Sequence, residues 1–423
     1  MNKKSKLTRF GIFNIEFWKF FGIWCLLFGI LISCNIKSKN QPAMNSFKKG
    51  SYGYDLQFLK KYKNPVELKS GNARVLLSPE YQGRVMTSSA AGEKGLSYGW
   101  INHDLIASGE VLKQINPVGG EERFWLGPEG GQFSVFFKDG KGFDFADWET
   151  PACIDTEAFE LLSSNDKSAE FAKSIQIKNF SNFEFSFDVN RKIILLENEE
   201  IKNQLNVVFQ DDIKTVGYET SNRLKNTGTT DWKKETGLLS VWLLGMYNPS
   251  DEVTIIIPFK KDVESDYIVK DDYFGKVPID RLVVKDGILY FKGDGKQRGK
   301  IGIPPQRAMA VIGSYDAINK VLTVVKCEIP ESITDYVNSA WEIQEYPFNG
   351  DAINSYNDGP LEDGSQMGPF YELETSSHAL SLKVGEKYTY KQSTFHFEGT
   401  EEQLNSLCQQ IFDVSLNEVK AIF

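Results

Sequence analysis

Strict alternation of apolar and polar residues is the most regular feature of the chain. In FEFSFDV, the side chains of Phe183, Phe185, Phe187 and Val189 fall on one side, which is the period of two expected of a half-buried strand. EVTIIIPF and MAVIGSY are short apolar runs typical of buried strands, and KYTYKQSTFHFEG predicts another strand, entered through a turn at Gly385. The pattern therefore predicts a fold built mainly from strands.

Turn and helix signals refine this prediction. Asp-Gly lies between apolar runs in SVFFKDGKGFDF and in LVVKDGILYF, and each predicts a hairpin. The clearest helical spacing is in TEEQLNSLCQQIF, where Thr400 and Gln403 can form a capping box before an apolar stripe. We expect this helix to pack on the edge of a sandwich. The predicted fold class is mainly β, a large antiparallel β-supersandwich with few short helices.

The first 34 residues have the order of a secretion signal. A basic start precedes an uncharged apolar run from Phe20 to Ile32, and LISC ends at Cys34. The run is short for a membrane span. The segment resembles a bacterial lipobox, which implies that Cys34 is lipidated; an uncleaved anchor helix is the alternative.

We predict a signal peptide over 1–34, a flexible tether over 35–52 and one domain over 53–423. The expected location is the cell envelope, lipid-anchored on the periplasmic side or at the outer-membrane surface.

Net charge and cysteine spacing limit the binding partners, metal sites and disulfides that the sequence predicts. The chain has 423 residues and a net charge of -9, with no long basic run, so we predict no nucleic-acid partner. Cys153, Cys327 and Cys408 lie far apart without metal-site spacing. One disulfide among these three cysteines is left open.

Two stretches carry candidate chemistry. In YELE, Glu372 and Glu374 fall on the same face of a predicted strand, so at least one of them needs a partner or a raised pKa. In NPVGGEERFWLGPEGGQF, we expect the glycines to let the backbone approach a ligand. Arg123 and Glu121 or Glu122 would then reach hydroxyl groups, and Trp125 would stack on a ring. Carboxylates, amides and aromatic rings together are typical of a sugar site.

Several segments, in order along residues 70–397, resemble the galactose mutarotase-like proteins, the aldose 1-epimerase superfamily. They are NARVLLSPEYQGRVMTSS, GGEERFWLGPEGGQF, LKNTGTTDW and FYELETSSHALSLKVGEKYTYKQSTFHF. The resemblance implies a β-supersandwich with a concave carbohydrate cleft, and it implies that Glu374, in the matching L-E-x strand, is the general base. The family also uses a histidine as acid. The corresponding stretch here, VWLLGMYNPS, has no histidine.

Three functions remain open from the sequence. The first is binding and isomerisation of a carbohydrate with Glu374 as base. The second is glycan binding without catalysis, which the missing histidine favours. The third is a glycoside hydrolase or lyase using two of Glu121, Glu129, Glu372 and Glu374. The predicted substrate-binding residues are Glu122, Arg123, Trp125, Asn357, Glu372 and His378.

The predicted partners are a carbohydrate ligand and a membrane, reached through the lipid anchor. We predict no cofactor. Calcium is left open because NGDAINSYNDGPLEDG is rich in oxygen ligands, although their spacing does not fit an EF-hand. The oxygen-bearing residues of that stretch are Asp351, Asn354, Asn357, Asp358, Glu362 and Asp363.

Overall fold

Antiparallel strands account for most of the structure, a computed structural model that describes residues 47–332 and 335–423. The described residues belong to one compact unit. The predicted signal peptide, Cys34 and most of the predicted tether lie outside the described residues. Within the described part, no helix has both the length and the apolar content needed to cross a membrane.

The strands are β1 (Val66–Ser70), β2 (Ala73–Ser78), β3 (Arg84–Ser89), β4 (Arg123–Gly127), β5 (Glu160–Ser164), β6 (Ser168–Lys178), β7 (Glu184–Leu195), β8 (Lys214–Asn226), β9 (Ser240–Tyr247), β10 (Val253–Pro258), β11 (Leu282–Lys285), β12 (Ile288–Lys292), β13 (Gly299–Ile303), β14 (Val311–Asp316), β15 (Val321–Cys327), β16 (Ile353–Asn357), β17 (Tyr371–Ser376) and β18 (Lys387–Glu398). The helices are α1 (Tyr52–Tyr62), α2 (His103–Ser108), α3 (Ala152–Asp155), α4 (Asn198–Leu205), α5 (Glu401–Phe412) and α6 (Leu416–Lys420).

Three sheets organise these strands. A ten-stranded sheet has the order β11-β12-β10-β14-β15-β18-β8-β7-β6-β5, a five-stranded sheet has the order β13-β16-β17-β9-β4, and β1 to β3 form a small third sheet. All the pairings between these strands are antiparallel. The predicted fold class, mainly β with few short helices, is confirmed.

The five-stranded sheet packs one face against the ten-stranded sheet. The Tyr371 and Ser314 hydroxyls are 2.8 Å apart, and the Thr375 hydroxyl donates to Gln392 over 2.6 Å; Ser314 and Gln392 lie on β14 and β18 of the large sheet. Side chains alternate along a strand. Glu372 and Glu374 therefore lie on the other face of the five-stranded sheet, away from the large sheet.

The local predictions had mixed outcomes. LVVKDGILYF forms the β11–β12 hairpin, with Asp286 and Gly287 both at positive φ. SVFFKDGKGFDF forms no strand, so the second predicted hairpin was wrong. Helix α5 has the predicted capping box at Thr400. It packs in a cluster with Leu322 and Val324 of β15, so it covers a face of the large sheet rather than an edge.

The three cysteines within the described residues are free. Cys327 and Cys408 are buried, and Cys153 is partly buried. Burial raises the pKa of each of the three thiols to about 12. They act as packing side chains, and the disulfide left open by the sequence is not formed.

Candidate functional site

A cavity of about 1090 Å³ lies over the face of the five-stranded sheet that points away from the large sheet. Each of the five strands supplies at least one lining residue. These residues are Gly127 of β4, Ser240 and Trp242 of β9, Ser376 of β17, Asn354 and Tyr356 of β16, and Lys300 of β13. These residues lie close together because of the strand register. Asn354 is directly opposite Glu374, and Trp242 is directly opposite Ser376, on neighbouring strands.

Loops from distant parts of the chain form the walls. Phe145, Tyr273, Phe274 and Trp341 contribute aromatic rings to the lining. Acidic, basic and amide groups stand among these rings, including Glu129, Lys270, Arg298, Asp358 and Gln366. A cavity that mixes aromatic rings with many hydrogen-bonding groups suits a ligand with apolar faces and polar edges.

Glu374 lies directly beneath this lining. Its Oε2 accepts hydrogen bonds from Lys300 Nζ over 3.1 Å and from Trp242 Nε1 over 3.0 Å, and both donors line the cavity. The residue is fully buried, and its Oε1 has no hydrogen-bond partner among the described residues. An unpaired carboxylate oxygen in a buried position is costly, so a ligand hydroxyl that bonded to it would relieve that cost.

Arg123, Trp125 and Glu372 extend the same layer. Arg123 Nη2 is 3.5 Å from Glu372 Oε1, and the guanidinium lies 3.9 Å from the centroid of the Trp125 ring. Arg123 Nε and Nη1 have no partner among the described residues. The structure thus brings together four of the predicted site residues, Arg123, Trp125, Glu372 and Glu374, although none of the four lines the cavity directly.

Burial and repulsion by neighbouring carboxylates shift Glu372 and Glu129 toward the protonated form. Burial, then the neighbouring Glu374, raises the pKa of Glu372 to about 8 against the opposing effect of Arg123 and Lys300. Burial also raises the pKa of Glu129, with Glu374 adding to the shift and Lys300 opposing it. Burial alone would lower the pKa of Lys300, but Glu374 and the other carboxylates raise it. Lys300 therefore remains a cation among these acids.

Asp351 marks the side of the cavity near Tyr273. Its carboxylate accepts hydrogen bonds from the hydroxyls of Tyr267, over 3.0 Å, and of Tyr273. Burial raises the pKa of Asp351, and the two tyrosine hydrogen bonds oppose the shift. Both Asp351 and Tyr273 line the cavity, so the oxygens of this group can accept a hydrogen bond from a ligand.

The described residues contain no group of three or more histidine, cysteine, aspartate or glutamate side chains placed to hold a metal ion. The residues considered for calcium are engaged elsewhere or separated. The two tyrosines hold Asp351, while Asn357 binds backbone groups, and Asp363 is exposed and bonds to Ser365. Among the described residues, the oxygen groups of this stretch therefore do not converge on one metal position.

A model of a protein family of unknown function, DUF6786, matches residues 50–423. The chain belongs to this family. The match covers the whole of the five-stranded sheet and its cavity, so the site described above is part of the DUF6786 domain. No curated protein matches the chain.

Several solved structures are similar to this chain. A protein from Synechocystis sp. PCC 6803 is 11% identical with a TM-score of 0.48, over 79% of this chain and 96% of that one. A provisionally assigned aldose 1-epimerase from Escherichia coli K12 is 10% identical with a TM-score of 0.48, over 79% and 98%. A galactose mutarotase related enzyme from Lactobacillus acidophilus is 10% identical with a TM-score of 0.43, over 80% and 98%. The names of the second and third belong to the group that the sequence resembles. At these identities and TM-scores, the similarity assigns no role to any residue of this chain.

Three of the predicted site residues lie away from the DUF6786 cavity. Glu122 is fully buried, where it pairs with Arg191 over 2.6 Å. Asn357 organises the 294–298 loop, accepting from Gly295 N over 2.9 Å and donating to the Gln297 carbonyl over 2.9 Å. His378 packs edge-on against Tyr388, and burial lowers its pKa.

The other two histidines are also outside the lining. His103 contacts Asp55 over 2.7 Å. His396 is buried between Thr323 and Glu121, with its ring stacked on Tyr98 at 4.2 Å. Glu121 belongs to that interior network, which separates it from the other three carboxylates of the hydrolase hypothesis.

Sequence reasoning missed three residues of the site. Lys300 and Trp242 hold Glu374, and Trp341 contributes to the cavity wall. Lys300 stands in the polar segment KGDGKQRGKIGIPPQR, Trp242 in the largely apolar VWLLGMYNPS, and Trp341 in WEIQEYPFNG, which is rich in polar and aromatic residues. The signal was composition alone, and only the strand register shows which members converge.

Proposed function

We propose that the protein binds a carbohydrate in the cavity over the five-stranded sheet and isomerises it by acid–base catalysis at the ring. The observation that carries this proposal is the state of Glu374. One of its oxygens is fixed by Lys300 and Trp242, and the other is buried without a partner beneath an aromatic, polar cavity. A fixed carboxylate with one free acceptor suits a general base that takes a hydroxyl proton.

Glu129 is proposed as the matching acid. It lines the cavity, and its raised pKa favours the protonated form that an acid requires. In the proposed reaction, Glu374 takes the proton of the anomeric hydroxyl while Glu129 protonates the ring oxygen. The bond between C1 and the ring oxygen breaks to give an open-chain aldehyde, and the C1–C2 bond rotates. As the ring closes with the opposite configuration, the attacking hydroxyl returns a proton to Glu129, and Glu374 returns its proton to the carbonyl oxygen. Lys300 and Trp242 would hold the Glu374 carboxyl group in position throughout.

The test is anomerisation of common aldoses, followed by polarimetry for the wild type and for Glu374→Gln. We expect the wild type to accelerate equilibration and the variant to lose about 100-fold or more of that acceleration, the usual contribution of a positioned acid or base. Glu402→Gln, an exposed change in α5, is the matched control and should retain full activity. Equal rates for wild type and Glu374→Gln would contradict the role of Glu374.

Binding without catalysis is the second candidate. It is favoured by the absence of any histidine from the cavity lining within the described residues, since a histidine acid is part of the family mechanism implied by the resemblance. In that case the wild type would bind glycans on an array and leave the rate of anomerisation unchanged. Release of new reducing ends from a polysaccharide would instead support the hydrolase hypothesis, with Glu129 and Glu374 or Glu372 as its carboxylates.

We also propose that lipidation at Cys34 holds the domain at the cell envelope. The support is the order of basic start, apolar run and cysteine in the sequence. Cell fractionation tests it: Cys34→Ala should move the protein out of the lipid-modified membrane fraction, while Cys25→Ala should not.

A further inference from the structure

The cavity is wide enough to hold a ligand larger than a single sugar ring. Lining residues come from each strand of the five-stranded sheet, from Gly127 on one edge strand to Lys300 on the other. Four spacings of about 4.8 Å between neighbouring strands give a span of about 19 Å. The volume of about 1090 Å³ also exceeds the ~300–1,000 Å³ usual for a drug-sized ligand. A single sugar ring would leave most of this space unfilled.

The rim of the cavity is apolar and exposed. Leu112, Phe145, Phe274 and Leu361 all line it, yet their side chains are 37%, 58%, 42% and 45% exposed. They come from four separate loops, so no single local sequence preference explains the clustering. Apolar groups held in contact with water around one cavity mouth mark a binding surface.

The floor and the rim offer different interactions. The floor of the cavity is the outer face of the five-stranded sheet, where the Glu374–Lys300 pair lies with Glu129 beside it. These charged groups suit the sugar ring that reacts. The rim offers the faces of Phe145 and Phe274, which suit the C–H faces of further rings. Arg298, 3.8 Å over one side of the Phe274 ring, can donate to their hydroxyls.

We propose that the ligand is an oligosaccharide, with one ring over the Glu374 floor and at least one further ring on the aromatic rim. This inference rests on the proposed carbohydrate function and adds the substrate class: a chain of linked sugars rather than a free monosaccharide. The acting end of the chain occupies the floor, and the rest leaves through the mouth past Phe145 or Phe274.

Calorimetric titration of the full-length protein tests this. The probes are glucose, galactose and mannose, together with their α- and β-linked oligomers of up to about six rings. For the series that binds, we expect the oligomer to bind at least about tenfold more tightly than its own monomer, with the gain ending once the rim is covered. Phe145→Ala combined with Phe274→Ala should remove most of that gain, with a smaller loss of affinity for the monomer.

Ile318→Ala is the matched control, because Ile318 is 55% exposed and is not part of the cavity lining. It should keep the full oligomer preference. Thermal unfolding of the variants shows whether they remain folded, which the exposure of both phenylalanines favours. A monomer that binds as tightly as its oligomers would overturn the oligosaccharide proposal and leave the proposed function standing. Failure of every monomer and oligomer to bind would overturn both.

Discussion

Glu372 and Glu374 show how two positions along one strand lead to two different environments. They are two residues apart, on the same face of β17. Glu374 has Lys300 and Trp242 as direct donors, whereas Glu372 has one long contact with Arg123, at 3.5 Å. Burial, and then repulsion by the neighbouring Glu374, raise the pKa of Glu372 to about 8. Near neutral pH, Glu372 therefore favours its protonated form.

The shift of Glu372 predicts a pH dependence of stability. Its pKa is higher in the folded protein than its ordinary value of 4.5. The unfolded chain therefore loses this proton first as pH rises, and the free energy of unfolding falls between about pH 4.5 and pH 8. Glu372→Gln removes this titration. We expect the fall between pH 5 and pH 8, measured by urea unfolding, to shrink by more than about 1.4 kcal/mol, the equivalent of one pKa unit.

Glu402→Gln serves as the control for that measurement, because the residue is exposed in α5. It should show the same dependence on pH as the wild type. If Glu372→Gln and Glu402→Gln were indistinguishable at both pH values, the raised pKa of Glu372 would be wrong.

In the glycine-rich stretch 116–133, which contains β4, two of the glycines act differently from the prediction. We expected its glycines to admit a ligand. Instead, Gly119 has φ +91°, and a Cβ there would lie 2.0 Å from the carbonyl oxygen of Trp100; one at Gly130 would lie 2.2 Å from that of Ala340. Because Gly119 and Gly130 have no Cβ atom, neighbouring backbone can pack closely against them. This packing places β4 at the edge of the five-stranded sheet. These glycines therefore position Arg123 and Trp125 indirectly.

Gly119→Ala should consequently destabilise the protein by at least about 2 kcal/mol, because it combines an unfavourable φ with a backbone clash. The measurement is the urea midpoint of unfolding. Gly275→Ala is a matched comparison, since Gly275 has φ +92° and nothing within 4 Å of a Cβ. It should cost only the strain of φ, about 1 kcal/mol. Equal losses for the two variants would show that the contact with Trp100 does not constrain Gly119.

The two main sheets are joined by buried charge as well as by apolar packing. Arg191 of β7 pairs with Glu122, immediately before β4, and both side chains are fully buried. Thr220 and Gln392 also donate to Glu122. The large sheet thus holds the segment that carries Arg123, and the site on the outer face depends on an ion pair in the interior.

Arg191→Met should leave Glu122 buried without its cation and cost about 3–5 kcal/mol of unfolding free energy. Adding Glu122→Gln removes the stranded charge, so the double variant should lose less than the sum of the two single losses. Chemical unfolding of all four proteins measures this coupling. Lys202→Met, which breaks an exposed pair with Glu199, should cost less than about 1 kcal/mol. Additive losses at Arg191 and Glu122 would contradict an energetic link between the sheets.

Local periodicity determined the strand-rich fold class, the capped helix at Thr400 and the shared face of Glu372 and Glu374, because these depend on neighbours in the chain. The same alternation places Glu122 and Arg123 on opposite faces, so the prediction that both bind the ligand was inconsistent with it. Tertiary structure decided which residues contact Glu374. Lys300 and Trp242 are 74 and 132 residues from Glu374, and they meet it through the register of five antiparallel strands. Register arises from packing the whole sheet against its neighbour, so no local pattern could reveal which of the many polar and aromatic residues surround the cavity.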